Sequence, residues 1–141
     1  MNIAFFLTPK QDVAFQKESS TMRQALERME YHRYSAIPIL DEEGHYVGTL
    51  TEGDLLWKLK NTPGLNFTST SKILISQIER KVVNEPVRIN CDMEDLMSAA
   101  VKQNFVPVID DDDKFIGLIK RSDIINYFYA QMFRIKKMLN A

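Results

Sequence analysis

A mixed α/β (α+β) fold built from two β-α-β-β-α repeats is what this sequence predicts, and three observations carry it. Pro38, Asp41, Gly48 and Asp54 recur as Pro107, Asp110, Gly117 and Asp123, each 69 positions on. The apolar pattern recurs with them, "IPILDEEGHYVGTLTEGDLL" against "VPVIDDDDKFIGLIKRSDII", and similarity at a fixed period reads as one supersecondary unit built twice. The chain of 141 residues divides into halves of about seventy, each too small to hold an adequate core alone. The halves are therefore expected to fold against each other.

Each element follows from the local pattern. "DVAF" (12–15) reads as a first short strand. Met22, Ala25, Leu26 and Met29 fall at helical spacing after Ser19–Ser20–Thr21, a helix-starting run. "SAIPIL" and "YVGTL", separated by the turn Asp41–Glu42–Glu43–Gly44, form a hairpin with a glycine-containing loop. Thr51 then opens a helix carrying Leu55, Leu56 and Leu59. The second half repeats the order with "PVRI", a helix of Leu96, Met97, Ala100 and Val101, the strands "FVPVI" and "FIGLI", and a helix from Ser122. Met22 and Met93 are 71 apart rather than 69, so two residues are missing from the second helix-to-strand turn. The two repeats cannot offer identical pockets.

The expected organisation is a first repeat over residues 1–60, a polar linker over 61–72 ("NTPGLNFTSTSK"), a second repeat over 73–127 and a C-terminal helical tail over 128–141. On the closing helix Ile125, Phe128, Met132, Ile135 and Leu139 share one stripe, with Arg134, Lys136 and Lys137 mostly off it. Such a stripe calls for a packing partner, most simply a second subunit.

Composition narrows the class. Apolar residues make up 45% and charged residues 26%, a globular balance. Net charge is −1 with the two signs interspersed, which lacks the positive field of a nucleic-acid binder. Cys91 is the single cysteine, so there is no intrachain disulfide. "MNIAFFL" is too short for a secretory core, and no run approaches a membrane span. A soluble, cytoplasmic protein with neither nucleic acid nor membrane as partner is expected.

The duplicated motif, an apolar–Pro–apolar strand, an acidic turn, a Gly before a small-apolar stretch and a helix-opening Asp, resembles the cystathionine-β-synthase (CBS) domain, and two in tandem resemble a Bateman module. The resemblance covers residues 6–126. It implies a pseudo-twofold pair of repeats that binds adenosine-containing ligands in two clefts. Carried over by motif, cleft one joins Ala14, Phe15, Tyr34, Ser35, Ala36 and Ile37 to Lys120, Arg121 and Asp123. Cleft two, expected to be the weaker, joins Arg88, Asn104, Phe105 and Val106 to Thr51 and Asp54. Through "VAF", "YSAIPILD" and the basic residue before Asp123, the chain resembles small stand-alone bacterial proteins of this family that bind cyclic di-AMP. Ser122 stands where some of those relatives carry a second basic residue.

The chemistry of the clefts can be argued on its own terms. An Asp in the first turn of a helix can accept from ribose hydroxyls, while the open N–H groups and positive dipole end favour phosphate. Small residues such as Ser35 and Ala36 beside Ile37 suit an adenine slot. Lys120 and Arg121 add two cations, and Arg can hold phosphate through parallel hydrogen bonds. In cleft two Glu52 takes the place of Arg121 and opposes phosphate. The competing reading of Thr51–x–x–Asp54 is a capping box that needs no ligand, and Lys120 with Arg121 alone would be an ordinary solvated pair.

No catalytic or metal constellation assembles. Asp110–Asp113 lacks the spacing of a calcium loop, His32 and His45 have no partners at zinc spacing, Cys91 has no flanking cation, and there is no phosphate-cradling Gly-rich loop. With no such constellation, the family resemblance implies a non-catalytic sensor, without a cofactor, whose ligand is AMP, ADP, ATP or cyclic di-AMP. It is expected to be a homodimer that signals to an unknown downstream protein. A structural module with vestigial clefts and a small nucleotide-processing enzyme are the alternatives.

Overall fold

A computed structural model of the chain describes residues 1–140. Two sheets are formed. The first repeat supplies β2 (Gln16–Lys17), β3 (Ala36–Leu40) and β4 (Tyr46–Thr51), with helices α1 (Met22–His32) and α2 (Glu52–Asn61). The second supplies β5 (Val87–Arg88), β6 (Phe105–Ile109) and β7 (Phe115–Lys120), with α3 (Met93–Lys102) and α4 (Arg121–Leu139). In both repeats the short first strand runs parallel to the second, and the second and third form an antiparallel hairpin. The predicted β-α-β-β-α order is therefore present twice.

Local chemistry explains the boundaries. The Thr21 hydroxyl accepts from the Gln24 N–H while the Gln24 side chain accepts from the Thr21 N–H, a reciprocal cap that starts α1. The helix ends at Arg33 in the left-handed conformation. Each hairpin is pinned by its repeated aspartate: Asp41 Oδ1 accepts from the N–H groups of Glu43 and His45, and Asp110 Oδ1 from those of Asp112 and Lys114, all at 2.9 Å. The His45 N–H and ring bonds are the chief reason the Asp41 carboxyl sits below the usual range. This turn role accounts for the acid run Asp110–Asp113 without a cation.

Three apolar clusters hold the fold. Met22, Ala25, Met29, Ile37, Ile39, Leu50 and Leu55 form the first repeat's core, and Leu96, Ala100, Val106, Val108, Ile119 and Ile124 the second's. Leu40, Phe105, Phe115 and Leu118 form a third at the seam, with Val13, Phe15, Ala36 and Tyr46 packed against it. The hairpin tips meet there too: His45 bridges Lys114, and the Phe115 N–H donates to the Gly44 carbonyl at 2.9 Å.

The structure departs from the sequence expectations at the chain's start. β1 (Thr8–Pro9) pairs antiparallel with β7, and Ile3 and Phe6 are buried in the second repeat's core. The first strand of the first repeat is Gln16–Lys17 rather than 12–15. Having left the second sheet, the chain turns at Lys10–Asp12 and crosses the seam through Val13–Phe15 before it can pair with β3. Residues 73–78 also differ from expectation, because Ile73, Ile75 and Ile78 pack on the first repeat's core. The polar segment 61–72 contains a 3₁₀ turn, Thr68–Lys72, with Thr70 buried. The tail is one helix with the element that opens at Arg121. No helix among the described residues is long and apolar enough to cross a membrane.

Gly117 is required by the β1 crossing. Its φ is +155°, and a Cβ there would lie 2.2 Å from the Thr8 carbonyl oxygen and 3.1 Å from Pro9 Cα, both backbone atoms that cannot yield cheaply. Gly117→Ala should destabilise the protein by at least about 1–3 kcal/mol, the usual cost of overpacking. Gly53→Ala, where only ordinary contacts surround the new methyl, should be neutral or stabilising by up to about 1 kcal/mol as a helical Gly→Ala exchange. Urea unfolding of both variants measures the difference; equal effects would mean that β1 does not cross at Gly117.

Candidate functional site

The same joint appears at the mouth of each repeat. The first N–H of α2, from Glu52, donates to the Ser35 carbonyl at 3.0 Å; the first N–H of α4, from Arg121, donates to the Asn104 carbonyl at 2.9 Å. Each helix opening is thereby tied to the turn that precedes its own repeat's central strand. Between the joints lies a hollow of about 350 Å³ whose lining combines Ser35, Ala36, Thr51 and Glu52 with Lys102, Asn104 and Phe105. It therefore brings together Thr51, Asn104 and Phe105 of the predicted cleft two with Ser35 and Ala36 of cleft one. A second hollow of about 370 Å³ abuts it along Val82 and Asn84 and is lined by Tyr46, Thr49 and Arg80.

The two helix openings differ in what their aspartates are doing. Asp54 is only 5% exposed, and both of its oxygens are committed: Oδ2 accepts from the Thr51 N–H at 2.9 Å and Oδ1 from the Lys81 N–H at 3.2 Å. The Thr51 hydroxyl completes a capping box by accepting from the Asp54 N–H at 3.1 Å. At the other opening Lys120 stands at the cap position and provides no side-chain cap. Asp123 is exposed and makes no hydrogen bond or ion pair to another described residue, and Lys120 is exposed beside it. One carboxylate is spent on its own helix and the other is open.

The remaining predicted residues fall into distinct places. Phe15 and Ala36 reach the seam, where the Phe15 ring lies 6.4 Å from that of Phe115, and Ala14 is buried. Ile37 and Val106 are fully buried in the cores of their repeats, so each offers a cleft only its backbone. Tyr34 stacks on His32 at 5.3 Å and lines a groove along α1 and α2 rather than the inter-repeat hollow. Arg121 reaches across to Asn104 Oδ1 at 2.8 Å, so it touches a residue that lines the hollow.

Arg88 requires a correction. Its guanidinium donates to the Asp110 carbonyl at 3.1 Å and pairs with Asp113 at 2.7 Å, latching the acidic hairpin turn and not entering cleft two. The first repeat has the same latch in Lys17 and Glu42, 3.5 Å apart. The offset of 71 that relates α1 to α3 carries Ala14 and Phe15 onto Glu85 and Pro86, so register already pointed elsewhere. The segment that does border the hollows includes Val82 and Asn84, and the buried Gln103 clamps its neighbour Glu85 by donating to its carbonyl and accepting from its N–H at 2.9 Å. Gln103, Lys102, Asn84 and Arg80 were not singled out from sequence; a polar residue in the shortened turn was the available signal for Gln103. Burial pushes the Cys91 thiol up, with Asp95 and Asp92 adding to the effect, so it stays protonated near neutrality.

Two β-α-β-β-α repeats with a hollow at their joint define a tandem-repeat module. The model of the CBS domain matches residues 11–61 and 77–130, and the chain belongs to that family. Among curated proteins it is 26% identical to the CBS domain-containing protein CBSX1, chloroplastic, and 28% identical to CBSX2, chloroplastic, both of Arabidopsis thaliana. Each match covers 85% of this chain, which spans 61% and 60% of those relatives. Among solved structures, CbpB in complex with c-di-AMP is similar with a TM-score of 0.84 and 21% identity, over 98% of this chain and 91% of that one. The Listeria monocytogenes CbpB complex with c-di-AMP gives 0.76 at 19% identity, over 93% and 97%. CBSX2 in complex with AMP gives 0.70 at 23%, over 93% and 98%. These likenesses establish the fold.

The asymmetry of the two aspartates has a thermodynamic signature. Asp54→Ala removes one half of the capping box and leaves the Thr51 and Lys81 N–H groups without their acceptor, so it should cost about 2 kcal/mol, within the range for buried donors left unpaired. Asp123→Ala should stay within about 1 kcal/mol, the helix-dipole contribution alone. Urea unfolding reads both; equal losses would mean that Asp123 is also structural.

Proposed function

We propose that the protein is a regulatory sensor of adenine nucleotides, binding AMP, ATP or cyclic di-AMP between its two repeats and reporting occupancy to a partner protein. The observation that carries this reading is the open Asp123 at the start of an uncapped helix, flanked by Lys120 and Arg121, while its repeat-mate Asp54 is fully used. The paired ribose hydroxyls would donate to Asp123. Phosphate would take the N–H groups at the start of α4 and the two cations. Adenine would enter beside Ser35 and Ala36 and use their backbone groups.

Arg121 supplies the response. It now donates to the neutral amide of Asn104, and a charge-assisted bond to phosphate is the stronger of the two. Binding of a phosphate would draw Arg121 away and free Asn104, which lines the hollow on the second repeat's side. Occupancy of one cleft thus changes the lining of the other. The likeness to CbpB in complex with c-di-AMP and to CBSX2 in complex with AMP supports an adenine ligand. We further read the chain as non-catalytic and homodimeric.

Calorimetry and thermal unfolding test the reading. A cognate nucleotide at one hundred times its Kd should add about 2.7 kcal/mol of stability. Arg121→Ala should weaken a charged ligand by about 1.5–3 kcal/mol, the range for a hydrogen bond to a charged group. Asp123→Asn should weaken adenosine and nucleotide alike, and Asp54→Asn should matter less. No stabilisation by AMP, ADP, ATP or cyclic di-AMP would instead favour a structural module with vestigial clefts.

A further inference from the structure

The last part of α4 leaves the body of the protein with its apolar side uncovered. Ile124 is buried and Tyr127 packs on the second repeat's core, but Tyr129, Met132, Phe133, Ile135, Met138 and Leu139 are all exposed. Residues 128–139 extend about 18 Å at 1.5 Å per residue. A free helix of that length is marginal in water and draws its stability from a packed apolar face. The segment carries Arg134, Lys136 and Lys137 and no acid.

A matching surface lies on the other repeat. Between α1 and α2 runs a groove of about 780 Å³ with Leu26, Leu56, Leu59 and Phe67 among its lining residues. Three carboxylates, Glu27, Glu30 and Glu52, line it against one guanidinium, Arg33. Glu27 is held by Arg23 at 3.2 Å, while Glu30 and Glu52 have no ion pair among the described residues. An apolar groove edged with unpaired acid thus faces the need of an apolar helix edged with unpaired base.

We infer that the α4 tail of one chain seats in the α1–α2 groove of a second chain, with Lys136 and Lys137 toward Glu30 and Glu52, and the reciprocal tail in the reciprocal groove. The inference rests on the homodimer reading above and assigns its contact. A chain's own tail is committed to the second repeat through Ile124 and Tyr127. Each chain holds one tail and one groove, so a twofold exchange satisfies both and closes at the dimer. The contact also ties the oligomer to the candidate site, because Glu52 lines both the groove and the inter-repeat hollow, and α4 opens at Asp123.

Sedimentation and disulfide trapping of the full chain test this. In a Cys91→Ser background, chains carrying Glu30→Cys are mixed with chains carrying Lys136→Cys and oxidised. A covalent dimer should form in the mixture at least tenfold more readily than when Glu43→Cys, on the hairpin tip, replaces Glu30→Cys. Ile135→Glu, an exposed position that leaves the core intact, should weaken dimerisation at least tenfold. Dimers that neither cross-link nor respond to Ile135→Glu would overturn the tail-in-groove contact while leaving the homodimer standing. A monomer at micromolar concentration would overturn both, and a cross-linked series growing beyond the dimer would overturn the reciprocal exchange. Calorimetry with AMP and with cyclic di-AMP on the same samples reads the sensor proposal independently.

Discussion

The seam between the repeats is the constraint on which everything else depends. Neither repeat encloses its own sheet: the second repeat borrows β1 and the side chains of Ile3 and Phe6 from the start of the chain, and the first borrows Ile75 and Ile78 from the segment that follows it. Leu40, Phe105, Phe115 and Leu118 then close the space between. Repeats of this size have only a marginal core of their own, and the exchange of segments adds to what each one buries. It also holds the two helix-to-strand turns, at Ser35 and Asn104, on one hollow, and each helix opening is hydrogen-bonded to the turn of its own repeat.

Much of this was legible in the sequence, for physical reasons that can be named. Asp41 and Gly48 recur because each does a backbone task in its repeat: the aspartates at 41 and 110 hold hairpin turns, and the glycines at 48 and 117 take φ of +151° and +155°. Backbone tasks leave a periodic trace. β1 left none, since two residues including a proline have no counterpart in the other half and pair with a strand more than a hundred positions away. The strand expected at 12–15 gave way to a seam crossing for the same reason, as long-range pairing overrode a local apolar pattern.

The candidate site was partly readable. Thr51–x–x–Asp54 announced a capping box, and the cap is present with both partners in place. The equivalent Asp123 stands outside such a box because Lys120 occupies the position of Thr51. Arg88 lies outside its predicted cleft because, on a two-residue strand beside an acidic turn, its guanidinium finds Asp113. Gln103 carried only a weak signal, since a polar residue in a shortened turn commonly reads as solvated, whereas this one is buried and bonded to Glu85 on both backbone groups.

The same duplicated element thus serves two ends: one helix opening is closed on itself and lends rigidity, the other is left with an acceptor and two cations. A crystal structure grown with AMP tests that division most directly. The account predicts the ribose hydroxyls on the Asp123 carboxylate, the phosphate beside Lys120 and Arg121, and Arg121 released from Asn104. A nucleotide whose ribose lies instead on Asp54 and Thr51, with the Arg121–Asn104 bond unbroken, would contradict it.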